Sequence, residues 1–262
     1  MHPGESSKRA APPALSSGGS IDALPDGVLE HILGFLPAPE AVQTCVLARR
    51  WGYLWRSAPG LRVGWLGDGP GLHVGWPGDD EQASPPVKEH RELVDRLLLR
   101  GGSPLGTCDI RLGEFQDDDL PRVNFWVWHA ISCKVRQFTL SIHWHSYLKL
   151  EDLPLVSQHL SRLELCGVWV DNSFLDFSSC PALEYLELLQ CNFLMVKNIS
   201  SDSLKHLSIT ESRFPQFMFN DVLQTPRRTC IYAPNLVSLR LDGLENLTPM
   251  LDSTGSVVEA FV

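Results

Sequence analysis

His143 and His145 flank Trp144, so on a strand both imidazoles would face one side, as two ligands of a divalent metal would. Zinc needs a third and usually a fourth ligand with supporting contacts behind them. No companion motif is present, so the two histidines read as partly exposed strand residues and no metal is expected. Asp117–Asp119 could gather a cation, but such a run reads as a solvated turn. Cys166 and His159 could pair as nucleophile and base only through folding that the sequence does not specify. There is no Gly-x-x-x-x-Gly-Lys loop for phosphate and no Gly-x-Ser-x-Gly elbow for acyl transfer. A hydrolase would require a clustered nucleophile and base, and nothing supports one. The chain reads as a non-catalytic protein without a cofactor.

The totals narrow the class further. At 262 residues, with 44% hydrophobic and 20% charged, the chain can build a real core. A net charge of −9 argues against a broad nucleic-acid or anionic-membrane surface, which needs clustered Lys and Arg. No apolar run approaches the roughly 18 residues of a membrane span. Residues 1–20, "MHPGESSKRAAPPALSSGGS", lack the apolar centre of a secretory signal and read as a disordered leader. The seven cysteines are odd in number and widely spaced, without a Cys-x-x-Cys pair. Reduced thiols in the cytoplasm and/or nucleus follow.

With no chemistry to position, the elements must present surfaces. In "LPDGVLEHILGFLP", Pro25 suits the first position of a helix, and Pro37 with Pro39 stops it. Val28, Leu29, Ile32, Leu33 and Leu36 form one apolar stripe, and Phe35 widens it. Ala41, Val42, Cys45 and Val46 suggest a second short helix; Leu47, Trp51, Leu54 and Trp55 suit a third. A unit of about 40 residues rarely folds without help. Leaving its aliphatic side chains in water would forfeit roughly 1.5–3 kcal/mol each. A foreign protein is expected to cover them.

Leu24-Pro25, the Val28-Leu29 and Ile32-Leu33 pairs, Val46-Leu47 and Arg49-Arg50-Trp51 followed by Leu54-Trp55 resemble an F-box of the plant style, over residues 21–60. Ala48 stands where many relatives carry a Ser that could cap the third helix. The resemblance implies docking on a Skp-type adaptor, and through it a cullin, in an SCF ubiquitin ligase. The docking residues it implies are Leu24, Pro25, Val28, Leu29, Ile32, Leu33, Val46, Leu47, Trp51, Leu54 and Trp55.

Residues 61–86 read as a flexible Gly/Pro-rich join, with "GLRVGWLGDGP" echoed by "GLHVGWPGDDE". "VKEHRELVDRLLLR" then predicts a helix with Val87, His90, Leu93, Val94, Leu97 and Leu98 on one face, ended by Gly101-Gly102. Beyond it an aliphatic-x-x-aliphatic-x-aliphatic pattern recurs at Val135-Phe138-Leu140, Leu160-Leu163-Leu165, Leu183-Leu186-Leu188, Leu204-Leu207-Ile209 and Leu236-Leu239-Leu241. A weaker forerunner stands at Leu105-Cys108-Ile110. The starts are 25, 23, 21 and 32 residues apart, and three of these gaps fit the leucine-rich-repeat period of about 20–29. The last gap needs a longer excursion, which "FPQFMFNDVLQTPRRTC" can supply, and Cys191 falls where such repeats place Asn or Cys.

Stacking these strands predicts a parallel sheet along a solenoid over residues 87–262. Arg162, Glu164, Tyr185, Glu187, His206, Ser208, Ser238, Arg240 and Asp242 would project from its concave face as a target-binding group. "TGSVVEAFV" reads as the start of a further strand, with Val258, Ala260 and Val262 on one side and no terminal cap, so the domain reads as shortened. The whole resembles plant F-box proteins with leucine-rich repeats. The expected class is α/β: a short all-helical F-box, then an irregular leucine-rich-repeat solenoid. The resemblance implies the substrate-recognition subunit of an SCF-type ligase, directing ubiquitination and degradation of an unnamed target protein. The alternative is a non-ligase scaffold whose F-box-like corner packs on its own repeats.

Overall fold

The computed structural model describes residues 21–47, 50, 51, 54, 57–63, 91, 92, 94, 95, 105–143, 147–214, 228–246, 248–252 and 259–261. The 1–20 leader, Ala48, Arg49, Trp55, most of the join, the 215–227 excursion, Val258 and Val262 lie outside the described residues.

The architecture is α/β, as expected. Strands β1 (Gly60–Val63), β2 (Thr107–Leu112), β3 (Gln137–Ile142), β5 (Arg162–Cys166), β7 (Tyr185–Leu189), β9 (His206–Thr210), β11 (Ser238–Asp242) and β13 (Glu259–Phe261) form one eight-stranded sheet in that order. Every neighbouring pair is parallel. Sheet order follows chain order, which is what a coil that advances one turn per strand produces. Two smaller parallel sheets run beside it: β4 (Leu148–Lys149) with β6 (Val168–Trp169), and β8 (Asn198–Ser200), β10 (Cys230–Tyr232) and β12 (Met250–Leu251) with β10 in the middle.

Period-two patterning explains the main sheet. In the five full repeats the last two aliphatics, Phe138/Leu140 through Leu239/Leu241, sit in register on adjacent strands and are buried together. The first aliphatic of each copy, Val135, Leu160, Leu183, Leu204 and Leu236, is buried in the same core. Gly167 has a φ of +70° and a Cβ there would stand 2.2 Å from the Ile142 carbonyl oxygen, so only glycine fits this turn into β6.

Three expectations need correction. The join does not begin at residue 61: Gly60–Val63 is the first strand of the sheet, with Leu61 and Val63 buried in the main core. The repeat sheet accordingly starts at Gly60 rather than after residue 87. Its partner β2 lies more than 40 residues downstream, a long-range pairing that a glycine-rich context concealed. A helix absent from the sequence reading, α3, spans Leu120–Ser132 between β2 and β3. Its buried Val123, Trp126, Val127, Ala130 and Ile131 follow the helical period, and Pro121 occupies its first turn. Finally, Asp119 is not solvated. Asp117 and Asp118 are exposed, but Asp119 is buried, accepts the Gln116 backbone N–H at 2.9 Å and is paired with Arg91. Arg91, Glu92, Val94 and Asp95 are helical, as expected there, and Val94 joins the main core. Trp126 Nε1 donates to Asp95 at 2.7 Å, tying α3 to that segment.

Candidate functional site

The helical unit is built from α1 (Asp26–Leu33), α2 (Ala38–Gln43), a short 3-10 turn (Thr44–Val46) and helical residues that include Trp51, Leu54 and Ser57. Pro25 stands one place earlier than expected, at the N-cap of α1, and Pro37 takes the same place before α2. A proline there forfeits no helical hydrogen bond and sets the extended backbone from which the helix starts. Arg50 fastens the unit: it donates to the Leu24 carbonyl at 2.6 Å and is ion-paired with Asp26 at the start of α1.

Packing sorts the eleven predicted docking residues. Leu29, Leu33, Trp51 and Leu54 are buried against one another with Ala41 and Ala58, and Leu24 and Ile32 lean on that cluster. The expectation that all eleven face a partner is corrected for these four. Their side chains converge between the helices, so their part of the stripe is covered by the unit itself. Val28, Val46 and Leu47 point the other way, 44%, 87% and 65% exposed, and Pro25 is exposed beside them in sequence. Phe35, which was not among the eleven, is 56% exposed and meets His31 edge-on at 4.9 Å between centroids. It stands two residues past the end of α1, and the sequence marked it only as apolar. Trp55 lies outside the described residues.

The predicted target-binding residues stand together on the face of the main sheet opposite the core. Register aligns Arg162, Tyr185, His206 and Ser238 in one row, and Glu164, Glu187, Ser208 and Arg240 in the next; Asp242 follows at the end of β11. The rows interact. Arg162 is ion-paired with Glu164 and its guanidinium lies 3.7 Å from the Tyr185 ring centroid. The Tyr185 hydroxyl donates to Glu187 at 2.9 Å, and its ring is 6.1 Å from that of His206. Burial, and then the bond to Glu187, raise the Tyr185 phenol above its ordinary pKa. Arg240 and Asp242 are 3.5 Å apart. Sequence reasoning missed further members of this face, among them Asp109 and Arg111 on β2, joined at 3.1 Å. They precede the regular repeats, where the pattern was weakest.

Cys166 and His159 do not pair. The Cys166 thiol bonds to Ser141 on the sheet, not to His159, and burial raises its pKa. The His159 backbone N–H turns onto Ser157 Oγ at 3.4 Å. His143 lies beside Ser141, and burial together with Arg111 lowers its pKa; Trp144 and His145 are outside the described residues. Among the described residues no cluster of three His, Cys, Asp or Glu could hold a metal, and no helix is long and apolar enough to cross a membrane.

Comparison with known proteins places the helical unit in a family and finds relatives of the chain as a whole. Residues 21–62 match the F-box domain family. An F-box/LRR-repeat protein of Arabidopsis thaliana is 25% identical over 92% of this chain and 54% of its own length. A second from that plant is 26% identical over 92% of this chain and 49% of its own length. A putative F-box protein, also from Arabidopsis, is 31% identical over 71% of this chain and 45% of its own length. The chain thus spans about half the length of these curated relatives. No solved structure matches it. With its helical unit and mostly parallel repeat sheet, the chain carries an F-box domain at residues 21–62 and is homologous to plant F-box/LRR-repeat proteins.

Proposed function

We propose that the chain is the substrate-recognition subunit of an SCF-type ubiquitin ligase, working in the cytoplasm and/or nucleus. The F-box holds a Skp-type adaptor, and through it a cullin, while the polar face of the main sheet holds a target protein. One observation carries this reading: the F-box has folded and closed its own interior, yet Val28, Val46 and Leu47 remain exposed. Apolar side chains on a folded surface lose about 25 cal/mol per Å² by staying in water, so they favour a partner of matching shape. The contribution to ubiquitin transfer is proximity, because a tethered target meets the ligase at an effective concentration that free diffusion does not supply. No catalytic residue of that transfer resides in this chain.

The test is co-purification with the adaptor. The double variant Leu24→Ala, Pro25→Ala removes part of the α1 entry without touching the sheet, so adaptor recovery falls while the central repeat strands β5 to β11 stay folded. Recovery equal to wild type would count against docking through α1.

A second reading has its own observation. Ala38 of α2 is buried in the core cluster of the sheet, which suits a scaffold whose helical corner packs on its own repeats and meets no ligase. Failure of the wild-type chain to co-purify with any Skp-type adaptor would favour that scaffold.

A further inference from the structure

The main sheet begins at β1, where Leu61 and Val63 stand in register with Cys108 and Ile110 of the next strand. A terminal strand of a solenoid has no coil beyond it, and its inward side chains stay wet unless another element covers them. Leu251 in β12 shows what an uncovered inward position looks like. It is in register with Ile231 of β10, which is 1% exposed, yet Leu251 itself is 38% exposed. Leu61 and Val63 are 3% and 1% exposed.

Part of the cover on β1 is the F-box. Ala38, the first residue of α2, is buried in the same cluster as Leu61 and Val63, and α2 packs directly against β1. Gly34, the C-cap of α1, meets Gly60, the first residue of β1, backbone to backbone. A Cβ on Gly60 would stand 2.4 Å from the Gly34 carbonyl oxygen, and a Cβ on Gly34 would stand 3.2 Å from the Gly60 nitrogen. The Arg62 guanidinium lies 5.6 Å from the Phe35 ring centroid, and its Nε is buried without a hydrogen-bond acceptor among the described residues. On the other side of β1, the Pro59 carbonyl accepts the N–H groups of Gly106 at 2.7 Å and Thr107 at 3.2 Å, locking the entry to β1 onto the start of β2.

We propose that the F-box helices have a second function as the N-terminal cap of the solenoid, so that α1, α2 and the first strands of the sheet open and close as one cooperative unit. This holds whichever partner the F-box takes. Two glycines form the seam because two backbones must touch there, and Phe35 with Arg62 flanks it.

Native-state hydrogen exchange of the full chain in a urea series tests this directly. Amides of α1 and of β2 and β3 should then exchange through one opening of the same free energy. Exchange of α1 through a lower-energy opening, with β2 and β3 still protected, would overturn the cap. Gly60→Ala drives a methyl group into the Gly34 carbonyl, so exchange in α1 and in β2 should accelerate together, by roughly tenfold or more. Acceleration confined to α1, or none at all, would overturn it equally. If Gly60→Ala does not fold, Arg62→Ala removes the Phe35 contact alone. It should raise exchange in both elements by a smaller common factor, and a change in α1 alone would again refute the cap.

Discussion

Leu29 and Val28 are neighbours in one helix and were indistinguishable as members of an apolar stripe, yet they have opposite fates. Leu29 is fully buried between the F-box helices, whereas Val28 is exposed. Leu29→Ala should therefore cost about 2–5 kcal/mol of stability by leaving a cavity, read as a lower urea midpoint. Val28→Ala, at an exposed site, should stay within about 0.5 kcal/mol of wild type. Sequence periodicity marks which residues are apolar but not how three short helices divide them between interior and surface. The thiols separate in the same way. Burial raises the Cys180 thiol from 9.0 to about 11, and those of Cys108 and Cys191 higher still. At pH 8 a thiol reagent should spare all three in the native protein and modify them once denaturant is added. The sign of the linkage follows. Above pH 9.0 the unfolded Cys180 thiol ionises while the folded one holds its proton, so stability falls as pH rises towards about 11. The urea midpoint should drop between pH 8 and pH 10.5, and drop less in Cys180→Ala.

At the scale of elements, the strands were legible and the pieces between them were not. Leu183-Leu186-Leu188 and its relatives announced themselves because each strand repeats the same inward pair at nearly the same interval. Cys191 was legible too. It is fully buried at the end of β7, and its backbone N–H donates to Ser212 Oγ at 3.0 Å. Ser212, at the matching place after β9, donates in turn to the Thr210 carbonyl at 2.8 Å. Ser212→Ala should strand the buried Cys191 N–H and cost about 1–3 kcal/mol, measurable as a lower denaturation midpoint. The helix α3 escaped because its tryptophans and aliphatics run directly into the next repeat, so helical and strand periods overlap in one apolar stretch. Its buried Asn124 looks wrong for a core, but the side chain serves the backbone. Nδ2 donates to the Leu120 carbonyl at 2.9 Å, and Oδ1 accepts the Glu151 N–H at 2.8 Å. β1 escaped for a different reason: its alternation is only four residues long, and what makes it a strand is a partner far along the chain.

For the whole molecule, two kinds of surface follow from two kinds of element. The F-box keeps apolar side chains outward after closing its interior. The sheet presents charged and aromatic groups that already hold one another, Arg162 to Glu164 and Tyr185 to Glu187 among them. Such prearranged polar groups suit recognition of a protein surface, since little side-chain freedom is left to lose on binding. The split into helical and repeat parts was readable from prolines, tryptophans and leucine spacing. Their direct contact through Gly34 and Gly60 was not, because a glycine that admits another backbone resembles in sequence a glycine in a loop. Docking through the exposed apolar residues is tested most directly with Val46→Glu combined with Leu47→Glu. Both side chains are exposed, so the melting temperature should stay near that of wild type while recovery of the Skp-type adaptor in a pulldown falls by roughly tenfold or more. Undiminished recovery by a folded double variant would contradict it.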